Sequence, residues 1–304
     1  MDGIIVVNKS AGITSHRVVQ MIRRLFPGVR AGHTGTLDPM ATGVLPVCLG
    51  RATRLSEYII ELPKTYRAEI VLGKTSDTED AAGRITEEAA IPSLGRKQIE
   101  TIISSFTGSI EQLAPLYSAV KYRGKPLYYW TRRGETVPRK IRKANIYSID
   151  LLDFNPEREP HLVLDVHCSR GTYIRTLAAD IGKAIGCGAY LSALSRSAVG
   201  PFTLKEALKI EEIENLLDSG SGDQVILKMD SALINFPRID LNQDQVETLR
   251  QGKHLTPEQS KQLENYTADL PIRVYDPDGN FKALACRIST EDDFSLKTLK
   301  YLAD

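Results

Sequence analysis

No stretch of about 18 consecutive apolar residues occurs in this chain of 304 residues, so no membrane-spanning helix is expected. The opening MDGIIVVNKSAG lacks the basic, apolar and small-residue stages of a secretory signal, and a cytoplasmic location is expected. There are only four cysteines, Cys48, Cys168, Cys187 and Cys286, and none stands at a paired, zinc-like spacing. A chain this long needs no disulfide framework, so they read as reduced thiols. The five histidines show no metal pairing, His16 and His33 being far apart, and no metal is expected. The glycines lack both the Gly-Lys-Ser/Thr ending of a phosphate loop and the dinucleotide spacing, which removes support for a nucleotide cofactor. The Gly-x-Ser-x-Gly elbow of serine hydrolases is missing too.

Net charge is also nearly absent, at +1, but its distribution is uneven. From Lys121 to Lys143 there are nine Lys or Arg against the single acid Glu135, a segment of +8, so the remaining residues sum to −7. Charge gathered in this way suits the grip of a polyanion. Tyr122, Tyr128, Tyr129 and Trp130 lie among these cations, and such aromatics can stack on bases while the cations pair with phosphates. A solvated loop is the competing interpretation. With 42% apolar residues, the chain can bury one large core and carry a small second domain.

Gly3 to Val7 reads as a buried strand, and Thr14 or Ser15 then caps a helix carrying Val18, Ile22 and Leu25, stopped by Pro27 and Gly28. GHTGTLDPMATGVLPVCLG reads as a structured loop. Ala52 to Glu61 looks helical, and Tyr66, Ala68, Ile70 and Leu72 share one strand face. Lys74 to Gly83 reads as an acidic loop and Gln98 to Phe106 as a helix. Leu162, Leu164, Val166 and Cys168 alternate as a strand, after which Thr172 could cap a helix to about Ile185. Leu191 to Ser197 is a further strand. Ile272 to Asp276 and Phe281 to Ile288 form a hairpin around Pro277-Asp278-Gly279. Strands and helices intermix without a βαβ period, which predicts an α+β fold with a mainly antiparallel sheet. The polar stretch Asp218 to Asp223 is a possible boundary.

Asp38 sits between Leu37 and Pro39, in a loop whose Gly32, Gly35 and Gly43 allow unusual backbone angles and close approach of a ligand. On residue type alone it could simply cap a turn. The stretch GHTGTLDPMATGVLPVCLG resembles the signature of the TruB family of pseudouridine synthases. KTYRAEIVLG, TSDTEDAAG, SAVKYRG, CSRGTYIRTLAADIG and LSRSAVGPF are similar to that family in the order it uses, so the resemblance spans about Gly3 to Phe202. Lys9-Ser10 and Ala114-Pro115 depart from the family's usual Lys-Pro and Pro-Pro.

The resemblance implies isomerisation of uridine 55 in the T-loop of tRNA to pseudouridine, without cofactor or metal. Asp38 would be the nucleophile, a role that needs an ionised carboxylate. Arg175 matches the arginine that pairs with it, and Tyr66 the tyrosine that stacks on the target base and is a candidate acceptor of the C5 proton. The base must be extruded from the T-loop, with His33 as the candidate wedge. Tyr173 and Leu194 would line the uridine pocket. Asp80 corresponds to an acid that reads RNA, although it would otherwise pass for an exposed acid beside two others. Lys121, Arg139, Lys140, Arg142 and Lys143 belong to a basic segment, about 115–145, that corresponds to the family's mobile thumb. Residues 1–232 are expected to form the catalytic domain of pseudouridine synthase type, and 236–304 a small β-rich, PUA-like RNA-binding domain. That tail holds nine Lys or Arg against twelve Asp or Glu, net −3, so its RNA contacts must be local. A monomer acting on tRNA without guide RNA is expected. Two alternatives stay open: an RNA-folding protein on the same scaffold, and the related enzyme that works inside a guide-RNA particle.

Overall fold

The computed structural model describes residues 1–118, 120–131, 133–157, 159–256, 258–259, 266, 270–289 and 294–303. The chain opens with β1 (Gly3–Lys9), α1 (Ser15–Leu25), β2 (Ala31–His33), β3 (Thr42–Leu49), a 3-10 turn (Gly50–Leu55), α2 (Ser56–Glu61) and β4 (Lys64–Leu72). Next come β5 (Lys74–Ser76), β6 (Ile85–Glu88), α3 (Arg96–Ser104), β7 (Gly108–Leu113), β8 (Lys121–Tyr122), β9 (Lys125–Pro126), α4 (Leu127–Thr131) and β10 (Ile141–Asn155). They are followed by β11 (His161–Cys168), α5 (Ile174–Ile185), β12 (Ala189–Val199), β13 (Phe202–Thr203) and α6 (Ile210–Asp218). The C-terminal part contains β14 (Arg238–Asp240), α7 (Gln243–Arg250), β15 (Pro271–Tyr275), β16 (Phe281–Ser289) and β17 (Phe294–Tyr301).

The fold is α+β, around a large sheet ordered β1-β3-β12-β4-β11-β10-β7. Along this path every neighbouring pair is antiparallel except β3 and β12, which run parallel where Thr42 and Gly43 meet Ser195 and Arg196. This short parallel contact joins the two halves of the sheet, and the Asp38 loop runs straight into it. Gly43 makes the contact possible: its φ is +104°, and a Cβ there would lie 2.2 Å from the carbonyl oxygen of Arg196.

The central strands are covered on both faces. Ile5, Val7, Leu45 and Val47 enter one core beneath α1 and α5, whereas Ile4, Val6, Val44 and Cys48 enter a second with Leu233, Leu284 and Leu302. That double cover explains why the stretch from Gly32 to Gly50 is not a loop throughout, as its turn formers suggest. Its second half is β3, buried from Gly43 to Leu49. Pro46 fits because its carbonyl faces away from β1 and accepts from the Thr34 N–H at 3.1 Å, so its missing donor breaks no bond to β1.

Two other expectations need correction. The acidic loop read from Lys74 to Gly83 begins as strand β5, which pairs with β6 just beyond the loop, and Ser76, Thr78 and Asp80 tie the intervening turn together. Thr172 does not cap α5; its hydroxyl donates to the Ser169 carbonyl at 2.9 Å, and Tyr173 precedes the helix. The expected hairpin is present as β15 and β16, inside a four-stranded sheet ordered β14-β15-β16-β17. Residues 114–140 connect β7 to β10, which pair from Leu113 and Ile141 onward, and this connection has a small core of Ala114, Leu127 and Val137. Arg142 and Lys143, counted with the basic segment, lie on β10 itself.

Candidate active site

The backbone around Asp38 is held from several directions. On one side, the Leu37 N–H donates to Ser15 Oγ at 2.9 Å, and that hydroxyl donates back to the Leu37 carbonyl at 3.2 Å. On the other, the Pro39 carbonyl accepts from the Gly12 N–H at 2.8 Å and from Lys9 Nζ at 3.3 Å. The Ala41 N–H closes the turn onto the Asp38 carbonyl at 3.1 Å. Asp38 is therefore presented by a fixed loop, its side chain 35% exposed.

Arg175, in the first turn of α5, reaches this carboxylate with two nitrogens, Nε to Oδ2 at 2.8 Å and Nη2 to Oδ1 at 3.4 Å. The guanidinium also donates to the carbonyls of Tyr117, at 2.9 Å, and Thr78, at 3.2 Å, and lies 3.6 Å from Asp80. The helix start is set by the buried Gln112, whose side chain bonds both backbone groups of Tyr173, at 2.9 and 3.0 Å. Such a forked arginine, satisfied at every edge, fixes a carboxylate in direction as well as charge.

Asp38 and Arg175 open on a cleft of about 360 Å³, which is within the range of small-ligand pockets. Tyr66, Tyr173, Leu194 and Arg142 also line it, so six of the residues singled out in the sequence come together here. Asp80 does not line the cleft. It is buried behind Arg175, accepting from Thr78 Oγ1 at 2.6 Å and the Ala82 N–H at 3.0 Å, and is not the exposed acid its neighbours in sequence suggest. His33 lies on β2 outside the cleft lining, half-buried, and its Nδ1 has no hydrogen-bond partner among the described residues. Burial, then the cations of Arg196 and His16, push its pKa below the usual histidine range. Lys121, Lys140 and Lys143 are exposed and away from the cleft lining. Arg139 is engaged by the Ala114 carbonyl at 2.7 Å, the Leu113 carbonyl at 3.1 Å and Glu79 at 3.5 Å, and Glu79 in turn accepts from Thr176 Oγ1 on α5 at 2.7 Å.

Three of the cations that line the cleft escaped the sequence reading, Lys64, Arg170 and Arg196, and for Lys64 and Arg196 a signal was present. The signal was parity: Lys64 shares the inward face of β4 with Tyr66, Ala68 and Ile70, and Arg196 shares that of β12 with Leu194. A cation at a core-facing strand position calls for an explanation. Lys64 Nζ is held by the carbonyls of Ile60 and Leu62 and its pKa is pushed down to about 8, chiefly by burial. Lys9 is likewise lowered to about 8 by burial, with Asp38 pulling the other way. Among the described residues no group of three or more His, Cys, Asp or Glu could hold a metal, and no helix is long and apolar enough to cross a membrane.

The fold is shared with the protein in an H/ACA ribonucleoprotein bound to a substrate RNA containing 2'-deoxyuridine, with a TM-score of 0.75, 22% identity, and 99% of this chain and 85% of that one covered. A Cbf5-Nop10-Gar1 complex gives 0.74 and 24%, with the same coverage, and at these identities the likeness concerns fold alone. Residues 23–174 match the TruB family pseudouridylate synthase (N terminal domain), and residues 175–234 the tRNA pseudouridylate synthase B C-terminal domain. The second match begins at Arg175 and so takes in α5 and β12 of the central sheet. This chain is similar to the tRNA pseudouridine synthase B of Chromohalobacter salexigens, 43% identical over 79% of this chain and 77% of that protein. That of Francisella philomiragia is 42% identical over 94% and 91%. These matches define a pseudouridylate synthase. The chain belongs to the TruB family.

Proposed function

We propose that this chain isomerises uridine 55 in the T-loop of tRNA to pseudouridine, with Asp38 as nucleophile acting on a base turned out of the RNA stack. The coarser part, pseudouridine synthesis in tRNA, rests on family membership and on relatives named for that activity. The observation that carries the finer part is the Asp38 carboxylate held two-pronged by Arg175 at the wall of a cleft flanked by Tyr66, Tyr173 and Leu194.

Asp38 bonds transiently to the nucleoside while the N1–C1′ bond breaks, and the detached base turns. C5 then bonds to C1′, C5 loses its proton and N1 gains one. The product has the composition of the substrate, so no oxidant, reductant or cofactor is consumed. Tyr66 and Leu194 enclose the ring, and Tyr66 is the candidate acceptor of the C5 proton. Extruding the base costs a few kcal/mol. His33, whose charged form burial disfavours, is suited to stacking in the vacated space. Lys121, Lys140 and Lys143 hold phosphates of the stem, and the exposed Tyr128 and Tyr129 belong to the same segment, Tyr129 lying under Lys125 and Arg133. Residues 236–304, with the sheet β14 to β17, act as a second, PUA-like RNA contact, and the enzyme works as a monomer without guide RNA.

The test is Asp38→Asn in the full chain with an isolated T-stem-loop tritiated at C5 of the uridine. We expect no tritium release and binding within about twofold of wild type, since one lost carboxylate removes the nucleophile but no phosphate contact. Pseudouridine above a mock-purified control would overturn the mechanism.

A further inference from the structure

Among the fully buried side chains of the described residues Arg196 is the largest, at 1% exposure. It sits on β12 directly across from Tyr66 of β4 and beside Gly43 of β3. Nε donates to the Val44 carbonyl at 2.7 Å and Nη2 to the Gly35 carbonyl at 3.2 Å, while the guanidinium also meets the Tyr66 hydroxyl. Its partners are thus two carbonyls and a phenol, with no carboxylate among them. Burying an arginine on those terms is unfavourable against an apolar residue of similar size, so packing gives no reason for a cation here. Its partners converge on the cleft: Gly35 and Tyr66 line it together with Asp38, and Gly35 and Val44 bracket the loop of Asp38 in sequence.

We propose that Arg196 is the positioning residue of this active site, tying the two ends of the Asp38 loop to β12 and orienting the Tyr66 hydroxyl over the target base. This inference rests on the roles given above to Asp38 and Tyr66. The groups facing Tyr66 are Arg196 from β12, Cys168 from β11 and Asp38 from the loop, so Arg196 supplies the cation among them. Burial raises the Tyr66 pKa, while the charge and hydrogen bond of Arg196 act against that rise. A tyrosine that accepts a proton from carbon needs such a neighbour, because phenolate character at its oxygen is otherwise suppressed by the dry cleft.

The experiment compares wild type, Arg196→Met and Arg196→Lys, each a full chain carrying 3-fluorotyrosine at position 66. Three quantities are read: the 19F titration midpoint without RNA, the Kd for a T-stem-loop, and the single-turnover rate at saturating RNA. In Arg196→Met the midpoint should move to higher pH and the rate should fall about tenfold or more, the loss expected for one charge-assisted hydrogen bond, while Kd stays within about threefold. Arg196→Lys, which keeps the charge but not the fork, should lie between, and it decides the matter if Arg196→Met does not fold. An unmoved midpoint overturns the inference, whatever the rate does, since any loss would then be general distortion. A moved midpoint with an unchanged rate supports the hold of Arg196 on Tyr66 and refutes instead the catalytic reading of Tyr66.

Discussion

Replacing Arg175 by methionine separates what the arginine does for catalysis from what it does for folding. Its guanidinium serves two carboxylates of different exposure: the Asp38 side chain is 35% exposed and that of Asp80 8%, and Arg175 itself is 6% exposed. Breaking a buried ion pair from one side costs about 3–5 kcal/mol, whereas a half-exposed pair is worth about 1 kcal/mol or less. Most of the stability loss should therefore come from Asp80, stranded behind the site, and little from the nucleophile. Arg175→Met should lower Tm by on the order of 10 °C for a domain of this size. Adding Asp80→Asn removes the stranded charge and should return about half of that loss or more. The rate should not return, because Asp38 has still lost the fork that directs it. The assays are thermal unfolding and single-turnover tritium release on the two single variants and the double variant. A double variant no more stable than Arg175→Met would mean that Asp80 is not paired through Arg175. Recovery of the rate together with the stability would mean that Arg175 contributes only to folding.

Neutralising the exposed Lys121, Lys140 and Lys143 together should flatten the slope of log affinity against log salt by roughly 2 to 3 units, at about 0.7–0.9 per phosphate contact, with uridine selectivity intact. An unchanged slope in stem-loop titrations at several salt concentrations would mean that these lysines face only solvent. For Lys64, whose pKa falls from 10.5 to about 8 on folding, the unfolded chain binds the extra proton between those values, so its effect makes stability rise with pH across roughly 8 to 10.5. Urea unfolding of wild type and Lys64→Met from pH 7.5 to 10.5 should show the two curves converging or crossing as pH rises, and parallel curves would refute the shift.

Much of this fold could be read from the sequence because its strands obey simple parity. β11 alternates buried and partly buried positions along its length, and β4 carries Tyr66, Ala68, Ile70 and Leu72 on a single face. β3 could not be read that way: it is buried on both faces, so its residues neither alternate nor avoid turn formers, and its cover arrives from β16 and the chain end at Leu302. Pro46 and Gly43 look like loop residues until the neighbouring strands are known. The site divides similarly. Asp38, Tyr66, Arg175, Tyr173 and Leu194 came through the resemblance and meet at one cleft. Asp80 looked exposed because TSDTED is polar, yet the same hydroxyls fold it inward.

The cations show why local charge has to be counted atom by atom. Arg139 belongs to the +8 segment and looks like a phosphate contact, but the carbonyls of Leu113 and Ala114 and the carboxylate of Glu79 already take its donors. Through Glu79 and Thr176 it is tied to α5, the helix that bears Arg175. Neutralising it should therefore act on the helix start before it acts on RNA. At the cleft, Lys64, Arg142, Arg170, Arg175 and Arg196 surround the single carboxylate of Asp38, although the chain as a whole is only +1. Arg175 is fully committed to Asp38, Asp80 and two carbonyls, and Arg196 to carbonyls and Tyr66. Of these cations Arg142, exposed on β10 at the cleft mouth, has the greatest freedom to meet a phosphate beside the flipped nucleotide. Arg142→Gln should accordingly raise the apparent KM for the stem-loop about tenfold, as loss of a charge-assisted contact implies, and leave thermal stability unchanged. Arg139→Gln should do the reverse, lowering Tm with little change in the salt slope. Should the two variants behave alike in both assays, the distinction between a cation spent on the fold and one left for RNA would be wrong.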